Sequence, residues 1–117
     1  MSELRTESGR VVCARCSVAS NPWTRFVGLM GRASLSPDEG LLFPRTGSIH
    51  MFFMRFAIDA VFCDRDLRVI KVVRGLRPWR MAAVRGAKTV IELPAGGADG
   101  VEAGDRLTLG QSAEART

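Results

Sequence analysis

The cysteines and the single histidine are the residues of this chain that could hold a metal or form a disulfide. Cys13 and Cys16 have the C-x2-C spacing of half a zinc site, and His50 and Cys63 could supply further ligands. Residues three apart in a regular strand point to opposite faces, so Cys13 and Cys16 converge only if the chain turns between them. We therefore expect unpaired thiols rather than a structural or redox-active pair, no bound metal and no cofactor.

Four charged or titratable residues form a candidate ligand site: Arg32, His50, Arg55 and Asp59. Arg55 could bind a carboxylate or phosphate of an anionic small molecule or peptide, with Asp59 as a hydrogen-bond acceptor. Both lie in the apolar segment 48–62, where a buried charge needs a partner. They are four strand residues apart, about 13 Å, and cannot pair directly. A structural ion-pair network is the favoured alternative, with these candidate partners: Arg25 or Arg32 for Asp59, and Glu92 or Asp105 for Arg55.

Catalytic sets are not apparent in the sequence. His50 is the only imidazole, so any acid–base scheme that needs one depends on it, and a hydrogen-bonded structural role is favoured. No serine lies in a G-x-S-x-G turn, and the glycines of residues 96–104 do not follow the dinucleotide-binding pattern. We expect a non-enzymatic binding or accessory module, and an enzyme of unknown reaction is the third alternative.

The charge distribution offers a second candidate site. The chain has a net charge of +5 and a pI near 10.1. Residues 67–91 contain no acid and these bases: Arg68, Lys71, Arg74, Arg77, Arg80, Arg85 and Lys88. Small β-barrels bind single-stranded nucleic acid through bases stacked on aromatic rings beside arginines. The alternative function is therefore a nucleic-acid-binding barrel that uses Arg74, Arg77, Trp79 and Arg80. A solvated basic loop is the favoured interpretation, because Trp79 is the one aromatic residue in this segment.

Short apolar segments separated by glycine and proline predict a mainly β domain that positions these residues. Segment 48–62 is interpreted as one central strand, with alternate residues on opposite faces. One face carries Phe52, Met54, Phe56, Ile58, Ala60 and Phe62, and the other carries Phe53, Arg55, Ala57, Asp59 and Val61. Further strands are expected at residues 11–18, 41–43, 68–74, 89–93 and 106–109.

One helix is predicted at residues 22–30. Asn21 is a suitable N-cap, Pro22 suits the first helical position and Gly31 suits the end. The apolar residues recur at helical spacing: Trp23, Phe26, Val27 and Met30. The predicted fold is a distorted antiparallel barrel or a jelly-roll-like sandwich, with this short helix packed over one opening.

Six blocks in this order resemble the family called domain of unknown function 192. They are Gly28–Arg32, Gly40–Pro44, His50 with Phe53–Asp59, Leu76–Arg80, Glu92–Gly96 and Gly104–Asp105. The resemblance covers roughly Val11 to Leu109, and it implies a compact, mostly β, barrel-like or jelly-roll-like domain without an assigned biochemical role. Ala57 stands where members usually carry proline, which argues against a strand break at that point. Met51 stands where a threonine is common, which removes a hydroxyl beside His50.

Length and composition indicate one soluble domain. The 117 residues are 46% hydrophobic, enough for a single core. We expect one β domain at residues 9–110, with flexible termini at 1–8 and 111–117. No apolar run reaches the roughly 18 residues of a membrane span, and the N-terminal residues lack the pattern of a secretory signal. Three cysteines fit a reducing compartment, so we expect a cytoplasmic protein without a membrane partner.

Overall fold

The computed structural model describes residues 2–19, 32 and 34–111, and it is mainly β, as predicted. The strands of this part of the chain are β1 (Ser2–Thr6), β2 (Val11–Val18), β3 (Glu39–Pro44), β4 (Ser48–His50), β5 (Ile58–Cys63), β6 (Val69–Leu76), β7 (Met81–Ala83), β8 (Thr89–Pro94) and β9 (Leu107–Gln111). The predicted helix at residues 22–30 lies outside the described residues.

Seven strands form one sheet in the order β6-β5-β8-β3-β2-β1-β9, and β4 pairs with β7 in a separate two-stranded sheet. Adjacent strands are antiparallel except β2 and β3, which run parallel. The sheet is therefore mixed, with one parallel pair within the mainly antiparallel arrangement that the sequence predicts. Residues 19–38 separate the two parallel strands and exceed the dozen or so residues that a parallel connection requires.

The large sheet curls strongly but is not a closed barrel. Its edge strands β6 and β9 approach each other at one end, where Arg68 and Arg106 form an isolated bridge. Beside that bridge the Leu107 N–H donates to the Leu67 carbonyl at 2.9 Å, and the Val69 N–H donates to the Asp105 carbonyl at 2.7 Å. The predicted distorted barrel is thus an incomplete one.

Each face of the large sheet packs against a different apolar cluster. The first cluster has residues from all seven strands, among them Leu4, Cys13, Leu42, Val61, Val69, Ile91 and Leu107. The opposite face carries Leu41, Phe43, Ile58, Ala60, Phe62 and Val90, against which Ile49 and Ala82 of the small sheet pack. The small sheet therefore covers one face of the large one, and the turns next to it hold the residues of most functional interest.

The predicted continuous strand over residues 48–62 is wrong. β4 ends at His50, the chain turns, and β5 begins at Ile58. In the turn, the Met54 N–H donates to the Met51 carbonyl at 3.2 Å, and Phe53 has a φ of 65°. The strand is thus interrupted just before Ile58, next to position 57, where members of the family usually carry proline. The alanine at this position in the present sequence wrongly suggested a continuous strand. The alternation still holds within β5, where all six residues are buried.

The N-terminal residues also differ from the prediction. Residues 1–8 were expected to be flexible, but they contain β1, which pairs with β2 on one side and β9 on the other. Leu4 is fully buried in the first cluster, so this strand belongs to the core. At the other end, β9 extends to Gln111, and residues 112–117 lie outside the described part of the chain.

Candidate functional site

Two β-turns carry large aromatic residues where glycine is the usual choice. In the turn Met51–Met54 the third residue is Phe53, with a φ of 65°. In the turn Arg77–Arg80 the Arg80 N–H donates to the Arg77 carbonyl at 3.2 Å, and the third residue, Trp79, has a φ of 69°. A positive φ at that position defines a type II turn, which favours glycine or asparagine. Bulky residues in this conformation are strained, and such strain is concentrated at functional sites.

The backbone of Met51 holds the two turns together. Its N–H donates to the Arg80 carbonyl at 2.7 Å, and its carbonyl accepts the Trp79 N–H at 2.7 Å. The Met51 side chain is buried under both turns. These bonds fix the relative position of the turns. The surrounding structure therefore holds Phe53 and Trp79 in a backbone conformation that neither residue favours on its own.

The aromatic rings of these turns form one exposed surface. The centroids of Phe53 and Trp79 are 4.8 Å apart, and those of Phe52 and Trp79 are 6.0 Å apart. Phe53, Trp79 and Met81 are exposed by 62%, 59% and 67%. We call Phe52, Phe53, Trp79 and Met81 the aromatic surface. An exposed apolar cluster of this kind commonly marks an interaction site.

Exposed arginines flank the aromatic residues along the chain. Arg55 follows the first turn, and Arg77 and Arg80 begin and end the second. The two segments that build the surface, residues 44–58 and 67–91, contain no aspartate or glutamate. Three of the four residues of the nucleic-acid alternative therefore lie together: Arg77, Trp79 and Arg80. Arg74 does not join them, because its Nη2 donates to the carbonyls of Ala98 at 3.3 Å and Val101 at 2.6 Å.

Backbone strain at Trp79 leads to a testable prediction. Trp79→Gly should unfold at higher urea concentration than Trp79→Ala, with a difference of about 1 kcal/mol in the free energy of unfolding. Both variants lose the indole ring, but only glycine adopts a positive φ without cost. The control pair is Met81→Gly and Met81→Ala in β7, where glycine should be the less stable. Equal stability of the two Trp79 variants would contradict strain at this position.

Asp59 is a buried carboxylate at the start of β5. Its Oδ1 accepts the Gly75 backbone N–H at 2.9 Å, and its Oδ2 accepts those of Gly96 at 3.1 Å and Ala98 at 3.0 Å. Gly75 lies in β6, whereas Gly96 and Ala98 lie in the turns after β8. One side chain thus connects β5 to two neighbouring segments through charge-assisted hydrogen bonds.

Arg32 pairs with Glu39 rather than with Asp59. Its Nη1 and Nη2 donate to the Glu39 carboxylate at 3.0 and 2.6 Å. The guanidinium lowers the pKa of Glu39 to about 2. The predicted pairing of Arg32 with Asp59 is therefore wrong, because backbone N–H groups already occupy both Asp59 oxygens. Arg25, the other predicted partner, lies outside the described residues.

His50 and Arg55 border the aromatic surface. The His50 ring centroid lies 4.7 Å from that of Phe52. Arg55 is exposed, and none of the ion pairs between described residues includes it. Its predicted partners are wrong: Glu92 is buried within β8, and Asp105 accepts the Glu102 backbone N–H at 2.9 Å. A ligand-binding role for His50 and Arg55 stays a prediction.

Glu92 is a buried carboxylate that the sequence suggested only as an ion-pair partner. It lies in β8 between Leu41 of β3 and Ala60 of β5, and it is 6% exposed. No described residue makes a hydrogen bond or ion pair with its side chain. Burial raises the pKa of Glu92 to about 7, since an apolar environment disfavours the charged form. Glu92 therefore changes protonation near neutral pH.

Cys13 and Cys16 converge, contrary to the expectation from regular strand geometry. Both are buried in the first cluster, and the neighbouring Cys16 thiol lowers the pKa of Cys13. The pairing of β1 with β2 is irregular at this point, which supplies the bend that a regular strand lacks. Among the described residues, no three His, Cys, Asp or Glu side chains are grouped closely enough to hold a metal ion. The expected absence of metal and cofactor stays a prediction.

The described residues form a small β domain built on a mixed seven-stranded sheet. The chain belongs to the DUF192 family, described as "Uncharacterized ACR", whose model matches residues 3–109. The resemblance noted in the sequence is thereby confirmed. The described part of the chain contains no helix with the length and hydropathy needed to cross a bilayer.

Two relatives match most of the chain in sequence, and two solved structures match most of it in fold. A UPF0127 protein of Thermococcus sibiricus is 36% identical over 85% of this chain and 68% of its own length. A UPF0127 protein of Pyrococcus furiosus is 35% identical over 89% of this chain and 94% of its own. A Sinorhizobium meliloti structure described as a "putative transcription regulator" has a TM-score of 0.75 and 29% identity, covering 92% of this chain and 91% of that one. A Novosphingobium aromaticivorans protein of unknown function has a TM-score of 0.75 and 26% identity, covering 92% and 82%.

Proposed function

We propose that this protein is a non-enzymatic binding module whose aromatic surface binds single-stranded nucleic acid. The observation that carries the proposal is the pair of strained turns, which hold Phe53 and Trp79 exposed and in contact with each other. Folding alone does not favour this arrangement, because glycine would relieve the strain at both positions and burial would suit both rings. A ligand that stacks on the rings accounts for both features.

The chemistry around the rings fits a nucleic acid strand. Every base has a flat π-face that can stack on Trp79 or Phe53, and each stacked base contributes about 1–3 kcal/mol. Arg55, Arg77 and Arg80 are exposed and lie within two residues of Phe53 or Trp79 along the chain, so they can contact phosphates of a strand stacked on the rings. The two surface segments contain no acid, so the charges that they themselves carry attract the strand.

A pocket for an anionic small molecule or peptide is the function that the sequence favoured, and the geometry supports it less well. Of its four residues, Arg32 is paired with Glu39, and Asp59 accepts three backbone N–H groups. The other two, His50 and Arg55, border the aromatic surface. Both can therefore contribute to the nucleic-acid site instead. The description of the S. meliloti neighbour as a "putative transcription regulator" agrees with a nucleic-acid ligand for that protein.

Binding of a fluorescein-labelled oligothymidine, followed by fluorescence anisotropy, tests this function. Trp79→Ala should weaken binding by at least about fivefold, because a stacking platform is lost. Arg77→Ala should weaken it and should reduce the slope of log K against log salt by about 1, since one phosphate contact is lost. The matched control is Arg106→Ala, which removes an exposed arginine at the bridge between β6 and β9.

Two outcomes would contradict the proposal. The first is the absence of oligothymidine binding at low salt. The second is binding that Trp79→Ala leaves unchanged while Arg106→Ala weakens it, which would indicate contact through general positive charge. An acidic peptide that binds at the aromatic surface in place of the oligonucleotide would favour the peptide-binding function.

A further inference from the structure

The β1–β2 ladder contains an irregularity that brings Cys13 and Cys16 to the same face. Leu4 is opposite Cys13 and Ser2 is opposite Cys16, so three residues of β1 face four of β2. The extra residue in β2 is a β-bulge, which shifts the alternation of side chains by one. Both cysteines therefore point into the first cluster, where each is buried.

The bulge also shortens the distance between the two residues. Three steps along a regular strand span about 10 Å, whereas a disulfide needs Cα atoms within about 7 Å. Here the two cysteines pair with Leu4 and Ser2, which are only two steps apart along β1, a span of about 7 Å. The bulge thus places the pair at the limit of disulfide geometry, where a small local shift closes the bond.

The two thiols are chemically different. The hydrogen bond from the Cys16 thiol lowers the pKa of Cys13, and the same contact together with burial raises the pKa of Cys16. A thiolate on Cys13 is therefore stabilised by a neighbour that keeps its proton. This asymmetry is typical of dithiols in which one cysteine attacks and the other resolves.

Cys13 lies directly beneath an exposed turn. Its Sγ donates to the Asp38 carbonyl at 3.3 Å, and Asp38 is itself exposed. Gly40 leaves the space that the sulfur occupies, because a Cβ at that position would lie 2.8 Å from the Cys13 Sγ. The Asp38 side chain is held by Arg15, whose Nε and Nη2 donate at 2.7 and 2.8 Å. Displacement of this turn would break the contact between Cys13 and Asp38, and it is the opening by which a small reagent would reach the thiol.

We propose that Cys13 and Cys16 form a redox-active dithiol that exchanges with a low-molecular-weight disulfide such as oxidised glutathione. The Cys13 thiolate attacks one sulfur of the small disulfide, which breaks its S–S bond and releases one thiolate. The Cys16 thiolate then attacks the Cys13 Sγ, which forms the intramolecular disulfide and releases the second thiolate. The two protons of the protein thiols go to the two released thiolates. The protein loses two electrons, and the small disulfide gains them.

Incubation of the folded protein with oxidised glutathione, followed by thiol counting and peptide mass spectrometry, tests the proposal. The expected result is the loss of two thiols, a disulfide between Cys13 and Cys16 and an unmodified Cys63. Reduced glutathione should restore both thiols. Cys63 is the internal control, because it is also buried and burial raises its pKa to about 12. It should react only when the protein unfolds.

Two variants separate the steps. Cys16→Ser should stop the reaction at a stable mixed disulfide between Cys13 and glutathione, whereas Cys13→Ser should stop it altogether.

Three results would overturn the proposal: no loss of thiols in the folded protein, oxidation of Cys63 at the same rate as Cys13, or a mixed disulfide that persists in the wild-type protein. Equal rates at Cys13 and Cys63 would mean that the reagent reaches both through global unfolding. The wild-type measurement needs no substitution, so a variant that fails to fold does not prevent a decision.

Discussion

Asp59→Asn should lower the free energy of unfolding by about 3 kcal/mol or more. The carboxylate is buried and accepts three backbone N–H groups. An asparagine has one oxygen and one NH2 group, so at least one of these backbone N–H groups would face a donor. Leaving a buried group unsatisfied costs about 1–3 kcal/mol, and hydrogen bonds to a charged acceptor are the stronger kind. Urea unfolding followed by circular dichroism measures the change.

The matched control for this substitution is Asp64→Asn. Asp64 also accepts two backbone N–H groups, from Asp66 and Arg68, but these lie in an exposed hairpin turn. Both N–H groups donate to one oxygen, Oδ1, which the asparagine oxygen can replace, so the expected cost is below about 1 kcal/mol. If Asp59→Asn unfolded at the same urea concentration as the wild type, Asp59 would not be a structural anion, and it would become the first candidate for a ligand-binding residue.

Glu92→Gln should stabilise the protein at alkaline pH. Burial raises the pKa of Glu92 from 4.5 to about 7 in the folded state, so the folded protein binds more protons than the unfolded chain between those values. The stabilising proton is fully present below pH 4.5 and is lost as the pH rises through 7. The shift corresponds to about 3 kcal/mol, because one pKa unit is about 1.4 kcal/mol.

Urea unfolding of Glu92→Gln and the wild type at a series of pH values measures this effect. The stability of the variant relative to the wild type should be lowest below pH 4.5, should rise between pH 4.5 and 7, and should level off above pH 7. Glu102→Gln is the control, because Glu102 is exposed, and its stability should follow that of the wild type at every pH. A constant difference between Glu92→Gln and the wild type would show that the Glu92 proton does not contribute to stability in this range.

Periodicity predicted the part of the fold that local sequence controls. The alternating apolar residues of 58–63 and the apolar run 89–94 form β5 and β8, and residues 11–18 form β2. Burial on both faces follows from the position of β5 and β8 inside the large sheet. The loop around Trp79 was also predicted, because Pro78 at the second position of a turn is a strong local signal.

The turn at Met51–Met54 could not be predicted from local sequence. Residues 48–62 contain no glycine, proline or asparagine, and the pattern of their side chains alternates as in a strand. The turn depends on the Trp79 and Arg80 backbones, which bond to Met51 from another part of the chain. Tertiary hydrogen bonds therefore override the strand propensity here, and this override creates the aromatic surface.

The hydrogen-bond and ion-pair partners of the charged residues could not be predicted from the sequence either. Asp59 binds backbone N–H groups, which every residue except proline carries and which leave no mark in the sequence. The convergence of Cys13 and Cys16 depends on a bulge, which in turn requires pairing with β1, a strand that the polar N-terminal sequence concealed. The sequence therefore identified candidate residues by their residue type, whereas their contacts became visible only in the structure.

The central claim, that the aromatic surface binds single-stranded nucleic acid, is tested most directly by mapping the contact on the 15N-labelled protein. Oligothymidine is added in steps while amide and indole resonances are followed by NMR. The account predicts that the largest shifts fall on Phe53, on residues 77–81 and on the Trp79 indole, with residues 98–106 unaffected. Shifts that avoid Phe53 and Trp79, or an unchanged spectrum at low salt, would contradict it.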